Sequence, residues 1–186
     1  MYEEIIFAGF GGQGVLFAGQ LLAYTALAEG KHVTWIPSYG PEMRGGTANC
    51  TVVISDEPIG SPVCQNPSIA VVFNNPSLEK YEPLVKPGGL LVVNESMTVR
   101  PPHRTDIATM VLPATAAANE IGETKITNMV LLGAMLARRP LVQIDTINAV
   151  LLDKLGARKA HLLEINAAAL KRGMELGLAQ HATARL

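Results

Sequence analysis

The apolar positions change period along the chain. Ile5 to Ala8 is a continuous apolar run, which reads as a buried strand. After a cluster of glycines, Val15, Leu16, Gly19, Leu22, Ala23, Ala26 and Leu27 recur at helical spacing, and Gly30 is placed to end that helix. His32 to Ile36 reads as a second strand. Pro37 to Gly46 reads as a loop from its proline and glycine content. Alternation returns with Ala48, Cys50, Val52 and Ile54 on one face and Asn49, Thr51 and Ser55 on the other, and Asp56-Glu57-Pro58 turns the chain. Ile69 to Phe73, Leu90 to Val93 and Thr109 to Leu112 are apolar runs of the kind found inside a parallel sheet. Between the first two, Asn75-Pro76-Ser77 opens a short helix running to about Lys86, and Pro87-Gly88-Gly89 closes it.

The rest of the chain has helical periodicity. Thr127 to Ala137 includes no charge and ends in Arg138-Arg139, where cations favour the helix dipole. Asp145 or Thr146 is placed to cap a following helix and Gly156 to end it. A further helix spans His161 to Leu176, with Leu163, Ala167, Leu170 and Met174 on one face. No internal repeat or linker divides the chain. Strand and helix in alternation, then a helical tail, predict one α/β domain over residues 1–186: a Rossmann-like three-layer sandwich with a mostly parallel sheet and a helical C-terminal segment.

Charge sharpens this picture. No Asp, Glu, Lys or Arg lies between Ile5 and Ala28, so the first helix is expected to be buried on more than one side. One side meets the sheet, and the other meets either a partner subunit or the domain's own C-terminal helices. The charged fraction is 17%, below the usual level of about 25%, which suggests that part of the surface is hidden against other chains. A net charge of −1 gives no electrostatic case for nucleic acid or an anionic membrane. Val15 to Ala28 falls short of the roughly 20 residues needed to span a bilayer. The N-terminus shows no secretory pattern, so a cytoplasmic location is expected. Cys50 and Cys64 are the only cysteines, too few for an iron–sulfur site, and they read as packing residues in a reducing compartment.

The candidate chemistry is concentrated in glycine loops. Gly9, Gly11 and Gly14 fit the G-x-G-x-x-G spacing, which makes a tight strand-to-helix turn whose N–H groups and helix dipole favour an anion. A dinucleotide site of this type expects an acid about 20 residues on, at the end of the second strand. Here that strand ends in Pro37-Ser38, while Glu29 and Glu42 fall outside the required place, so NAD is disfavoured. The turn then serves either close helix packing or contact with another ligand or partner. The sequence has no G-x-S-x-G, no P-loop and no paired acid and base, and its four histidines share no motif.

Taken together, Gly9-Phe10-Gly11-Gly12-Gln13-Gly14-Val15, Tyr39-Gly40-Pro41-Glu42-Met43-Arg44-Gly45-Gly46, the apolar strand before Asn74-Asn75-Pro76, and Lys86-Pro87-Gly88-Gly89 resemble the gamma subunit of 2-oxoacid:ferredoxin oxidoreductases. The resemblance spans nearly the whole chain and is weakest beyond about Leu141. It implies a complex that oxidatively decarboxylates a 2-oxoacid, forms an acyl-CoA and reduces ferredoxin. Thiamine diphosphate with Mg would belong to the alpha and beta partners, and the iron–sulfur clusters to the beta and ferredoxin-like delta subunits. This chain would bind no cofactor alone and would be inactive alone.

No catalytic or metal-binding residue is assigned. Gly11, Gly12, Gln13, Gly14, Tyr39, Glu42, Arg44, Gly45, Gly46 and Asn128 are the candidate ligand or partner contacts. Arg44 could clamp a partner carboxylate, touch CoA or bond its own domain's carbonyls. Gln13 could bond partner backbone or an anion. Asn128 is expected to bond a neighbouring loop, and Tyr39 and Glu42 to shape their own. The favoured substrate is 2-oxoglutarate, with branched-chain or aryl oxoacids next. The alternative is a stand-alone nucleotide- or CoA-binding Rossmann-like protein.

Overall fold

The computed structural model describes residues 1–40, 45–155 and 160–183. Six strands, β1 (Tyr2–Phe10), β2 (His32–Tyr39), β3 (Thr47–Ser55), β4 (Ile69–Val72), β5 (Leu90–Asn94) and β6 (Ala108–Leu112), form one sheet in the order β2-β3-β1-β4-β5-β6. β1, β4, β5 and β6 pair in parallel, whereas β3 runs antiparallel to both β1 and β2. The expected α/β architecture with a mostly parallel sheet is present.

The layers are unequal. One face of the sheet carries α1 (Val15–Ala28), α3 (Ala114–Ile121), α4 (Thr127–Arg138), α5 (Ile144–Leu155) and α6 (Ala160–Thr183), whose apolar residues join one large core with Phe7, Cys50, Val52, Val71 and Val92. The other face carries α2 (Asn75–Tyr81), where Leu78, Tyr81 and Val85 cover Ile6, Ala8, Ala70, Val72, Leu91 and Val93. β4 and β5 are buried on both faces and therefore read as unbroken apolar runs, as parallel strands between helices do.

Several elements differ from the expectation: β1 extends beyond its apolar run to Tyr2–Phe10, and α6 runs past Leu176 to Thr183. β2 continues through Pro37 to Tyr39, because proline is tolerated on an edge strand where its missing N–H is not needed. α2 stops at Tyr81 and tightens into a 3-10 turn over Glu82–Leu84, since Pro83 cannot continue the α-helical ladder. α3, with the sequence ATAAANEI, is not signalled by apolar periodicity: it is short, alanine-rich and backed by Pro113. α5 begins at Ile144, so Asp145 sits in its first turn rather than at the cap. Gly156, the expected end of that helix, lies outside the described residues.

α1 packs on the sheet through one side and against α4 and α5 through another, so the domain's own helices bury most of its uncharged surface. A stripe stays open: Tyr24 is 46% and Leu27 58% exposed. α4 is buried at every position from Thr127 to Leu136, and α6 crosses it at very short range. A Cβ on Gly133 or Gly173 would overlap the backbone of the opposite helix, and one on Gly177 would lie 2.9 Å from the Ala134 carbonyl oxygen.

Candidate functional site

The glycine turn follows β1 and leads directly into α1. Gly14 adopts φ 74°, the left-handed conformation in which a Cβ is disfavoured, and no side chain caps the helix start. The first-turn N–H groups of α1 are therefore directed at the turn, as an anion site requires. The second glycine loop lies alongside the first. Gly11 N–H donates to the Gly46 carbonyl at 2.9 Å, and Gly45 N–H approaches the Gly11 carbonyl at 3.4 Å. Two motifs far apart in sequence thus form a single backbone platform.

Side chains behind the turn hold it in place. The Gln13 Oε1 accepts from Phe10 N–H at 2.6 Å and from Asn74 Nδ2 at 3.2 Å. Its carbonyl end therefore closes its own turn. Asn128, at the start of α4, donates through Nδ2 to the Gly14 carbonyl at 3.1 Å, while its Oδ1 accepts from Met129 N–H. Tyr39 lies at the end of β2 opposite Ala48, in a strand rather than a loop, with its side chain 56% exposed. Glu42 and Arg44 lie outside the described residues.

Two cavities flank the turn. The larger is an open groove of about 620 Å³ bounded by Gly11, Gly12, Gly14, Phe10, Phe17 and Tyr39. The smaller, of about 170 Å³, lies over Gly12 and Gln13 and adds Thr115, Lys125 and Thr127. Asn94 braces this second side: its Nδ2 donates to Thr115 Oγ1 and to the Phe73 carbonyl, and its Oδ1 accepts from Thr115 N–H. Asn74, Asn94, Thr115 and Lys125 were not singled out from sequence. Asn74 carried a signal, because Asn before Asn-Pro-Ser is a helix-capping pattern, and its Oδ1 accepts from Ser77 N–H. The other three become neighbours only through the fold.

The arrangement can present backbone N–H groups, an amide framework and one lysine. Among the described residues it places no nucleophile and base in register. Among the described residues no group of three or more His, Cys, Asp or Glu converges as a metal site. The two thiols sit elsewhere: burial pushes Cys50 up to about 12 and Cys64 up to about 11. Neither has thiolate character at neutral pH. No described helix is long and apolar enough to cross a membrane.

Fold and site together define a Rossmann-like α/β domain with a doubled glycine platform at the carboxyl ends of its parallel strands. Residues 4–176 match the model of the pyruvate ferredoxin/flavodoxin oxidoreductase family, and the chain belongs to that family. It is 36% identical over 169 residues to the 2-oxoglutarate synthase subunit KorC of Methanocaldococcus jannaschii, covering 88% of this chain and 90% of that one. It is 44% identical over 130 residues to the ketoisovalerate oxidoreductase subunit VorA of Methanothermobacter marburgensis, covering 70% of this chain but only 27% of that longer protein. The keto/oxoacid ferredoxin oxidoreductase gamma subunit from Geobacter sulfurreducens has the same fold, with a TM-score of 0.81 at 30% identity over 95% of this chain and 99% of that one.

Proposed function

We propose that this chain is the gamma subunit of a 2-oxoacid:ferredoxin oxidoreductase, a complex that oxidatively decarboxylates its substrate, transfers the acyl group to CoA and reduces ferredoxin. Alpha and beta partners would supply thiamine diphosphate with Mg, and beta and ferredoxin-like delta partners the iron–sulfur clusters. This chain would supply structure and an interface. The observation that carries this reading is the correspondence, over 95% of this chain and 99% of the other, with a gamma subunit of similar length. Two cysteines, one buried in β3 and one before β4, are too few to ligate a cluster within the chain. The glycine platform, with Arg44 and Glu42 beside it in sequence, is the proposed contact to a partner chain or to CoA.

The favoured substrate is 2-oxoglutarate. The relative named for 2-oxoglutarate aligns over nearly its full length, whereas the one named for ketoisovalerate matches over about a quarter of its own. The test is a substrate panel on the purified complex: 2-oxoglutarate, 3-methyl-2-oxobutanoate, pyruvate and an aryl oxoacid, each with CoA and ferredoxin. The expected result is the highest kcat/KM for 2-oxoglutarate. A preference for a branched-chain acid would overturn the substrate assignment and leave the subunit assignment standing.

A stand-alone CoA- or nucleotide-binding role is the second reading, favoured by the open groove beside an uncapped helix start. Calorimetry on the isolated chain separates the two. Tight binding of CoA without association with alpha and beta subunits would favour the second. NAD is expected to bind weakly, because β2 ends in Pro37-Ser38-Tyr39 with no carboxylate for the ribose.

A further inference from the structure

β6, with the sequence ATMVL, is the outer strand of the sheet on the side away from β2. It holds no charged residue and no proline, the devices that commonly keep an edge strand from pairing with another chain. The ladder shows which of its backbone groups turn outward. Ala108 N–H donates to the carbonyl of Gly89, the residue before β5, at 2.8 Å. Backbone groups alternate sides along a strand, so Ala108, Met110 and Leu112 bond toward β5, while Thr109 and Val111 turn their N–H and carbonyl groups away from it.

The outward groups of Val111 are already occupied by a side chain from α6. Val111 N–H donates to Gln180 Oε1 at 3.1 Å, and Gln180 Nε2 donates to the Val111 carbonyl. A side-chain amide carries an acceptor and a donor on one planar group, as a peptide unit does, so it can take the place of one residue of a neighbouring strand. Gly177 lets α6 come close enough for this. It lies three residues before Gln180, on the same helix face. A Cβ on Gly177 would lie 3.0 Å from Met110 Cε and 2.9 Å from the Ala134 carbonyl oxygen, and would push the helix off both β6 and α4. Thr109, the other outward residue, borders a cavity of about 260 Å³ walled by Arg138, Gly177 and Gln180, so α6 overhangs the rest of the edge.

We propose that Gln180 is a strand surrogate, an intramolecular contact that closes the β6 edge and keeps this chain from pairing edge to edge with a second copy of itself. Two such edges related by a two-fold axis would pair through Thr109 and Val111, the positions that the amide and the overhanging helix deny them. The proposal is independent of the subunit reading above.

The test uses the full chain as wild type, Gln180→Ala and Gln180→Lys, with Leu178→Ala as an exposed control on α6. Exchange of the Val111 amide is read by NMR in dilute, monomeric samples, and self-association by sedimentation over a range of concentrations. The expected result is Val111 exchange at least about tenfold faster in both Gln180 variants and unchanged in Leu178→Ala. Gln180→Ala should self-associate at least about tenfold more tightly than wild type, whereas Gln180→Lys should not, because its charge blunts the edge that the amide no longer covers. Unchanged Val111 exchange in Gln180→Ala would overturn the contact. Faster exchange in a chain that gains no self-association would overturn its closing role, as would association of Gln180→Lys as tight as that of Gln180→Ala.

Discussion

At the scale of single residues, the site depends on Gly14 and Asn128 meeting across 114 positions of sequence. A Cβ on Gly14 would lie 2.5 Å from Asn128 Nδ2, on a residue whose φ of +74° already disfavours one. Gly14→Ala is expected to cost about 3 kcal/mol by adding left-handed strain to overpacking. Asn128→Ala removes a hydrogen bond and leaves the Gly14 carbonyl without it, a loss of about 1–2 kcal/mol. The double variant should cost less than the sum, because the smaller residue 128 relieves the clash. Urea unfolding of the four proteins measures this, and strict additivity would contradict the contact. Glu82 gives a second residue-scale prediction. Its side chain is 4% exposed and accepts from Arg100, Arg104 N–H and His103 N–H. Burial alone would raise its pKa, but these hydrogen bonds and the Arg100 charge outweigh burial and hold it below 4.5. A depressed carboxyl contributes stability that is complete above the unfolded value and is lost as pH falls through the folded one. Glu82→Gln should therefore lower stability at pH 7 and flatten its decline below about pH 4.5, as read by melting temperature against pH. An unchanged acid limb would contradict the assignment. The glycines and Asn128 were legible in the sequence, since few residue types tolerate a tight turn or sit polar on an apolar helix. Lys125, Asn94 and Thr115 were not, because no spacing announces a contact made only through the fold.

At the scale of elements, the chain's strongest constraint is the crossing of α4 and α6. Both helices place glycine where backbones touch. Gly173→Ala drives a Cβ into the Val130 carbonyl, a rigid neighbour, and is expected to cost about 3 kcal/mol, the upper range for overpacking. Calorimetric unfolding should show a large fall in melting temperature. A neutral Gly173→Ala would mean that the helices cross at greater distance than described here. The central strands were legible as apolar runs or alternation, and α1 as a long uncharged stretch between a glycine turn and Gly30. The end of β2 was not, because Pro37 signals a loop unless the strand is known to be at the edge, and edge position is a property of the whole sheet. α3 escaped because alanine satisfies helix propensity without marking a buried face. The uncharged α1 left open whether its second side meets a partner or the chain's own helices. The structure assigns most of that side to α4 and α5 and leaves Tyr24 and Leu27 exposed.

At the scale of the whole molecule, the charged fraction is 17%, and Tyr24 and Leu27 of α1 stay exposed. The isolated chain is expected to be colourless and inactive toward 2-oxoacids, since it offers two protonated thiols and no convergent metal site among its described residues. The most direct measurement is reconstitution: alpha, beta and delta subunits purified with and without this chain, assayed for CoA-dependent reduction of ferredoxin by 2-oxoglutarate. The account predicts that this chain co-purifies in fixed ratio with the others and that turnover falls to a small fraction without it. Full turnover by the other subunits alone, or oxidation of 2-oxoglutarate by this chain alone, would contradict it.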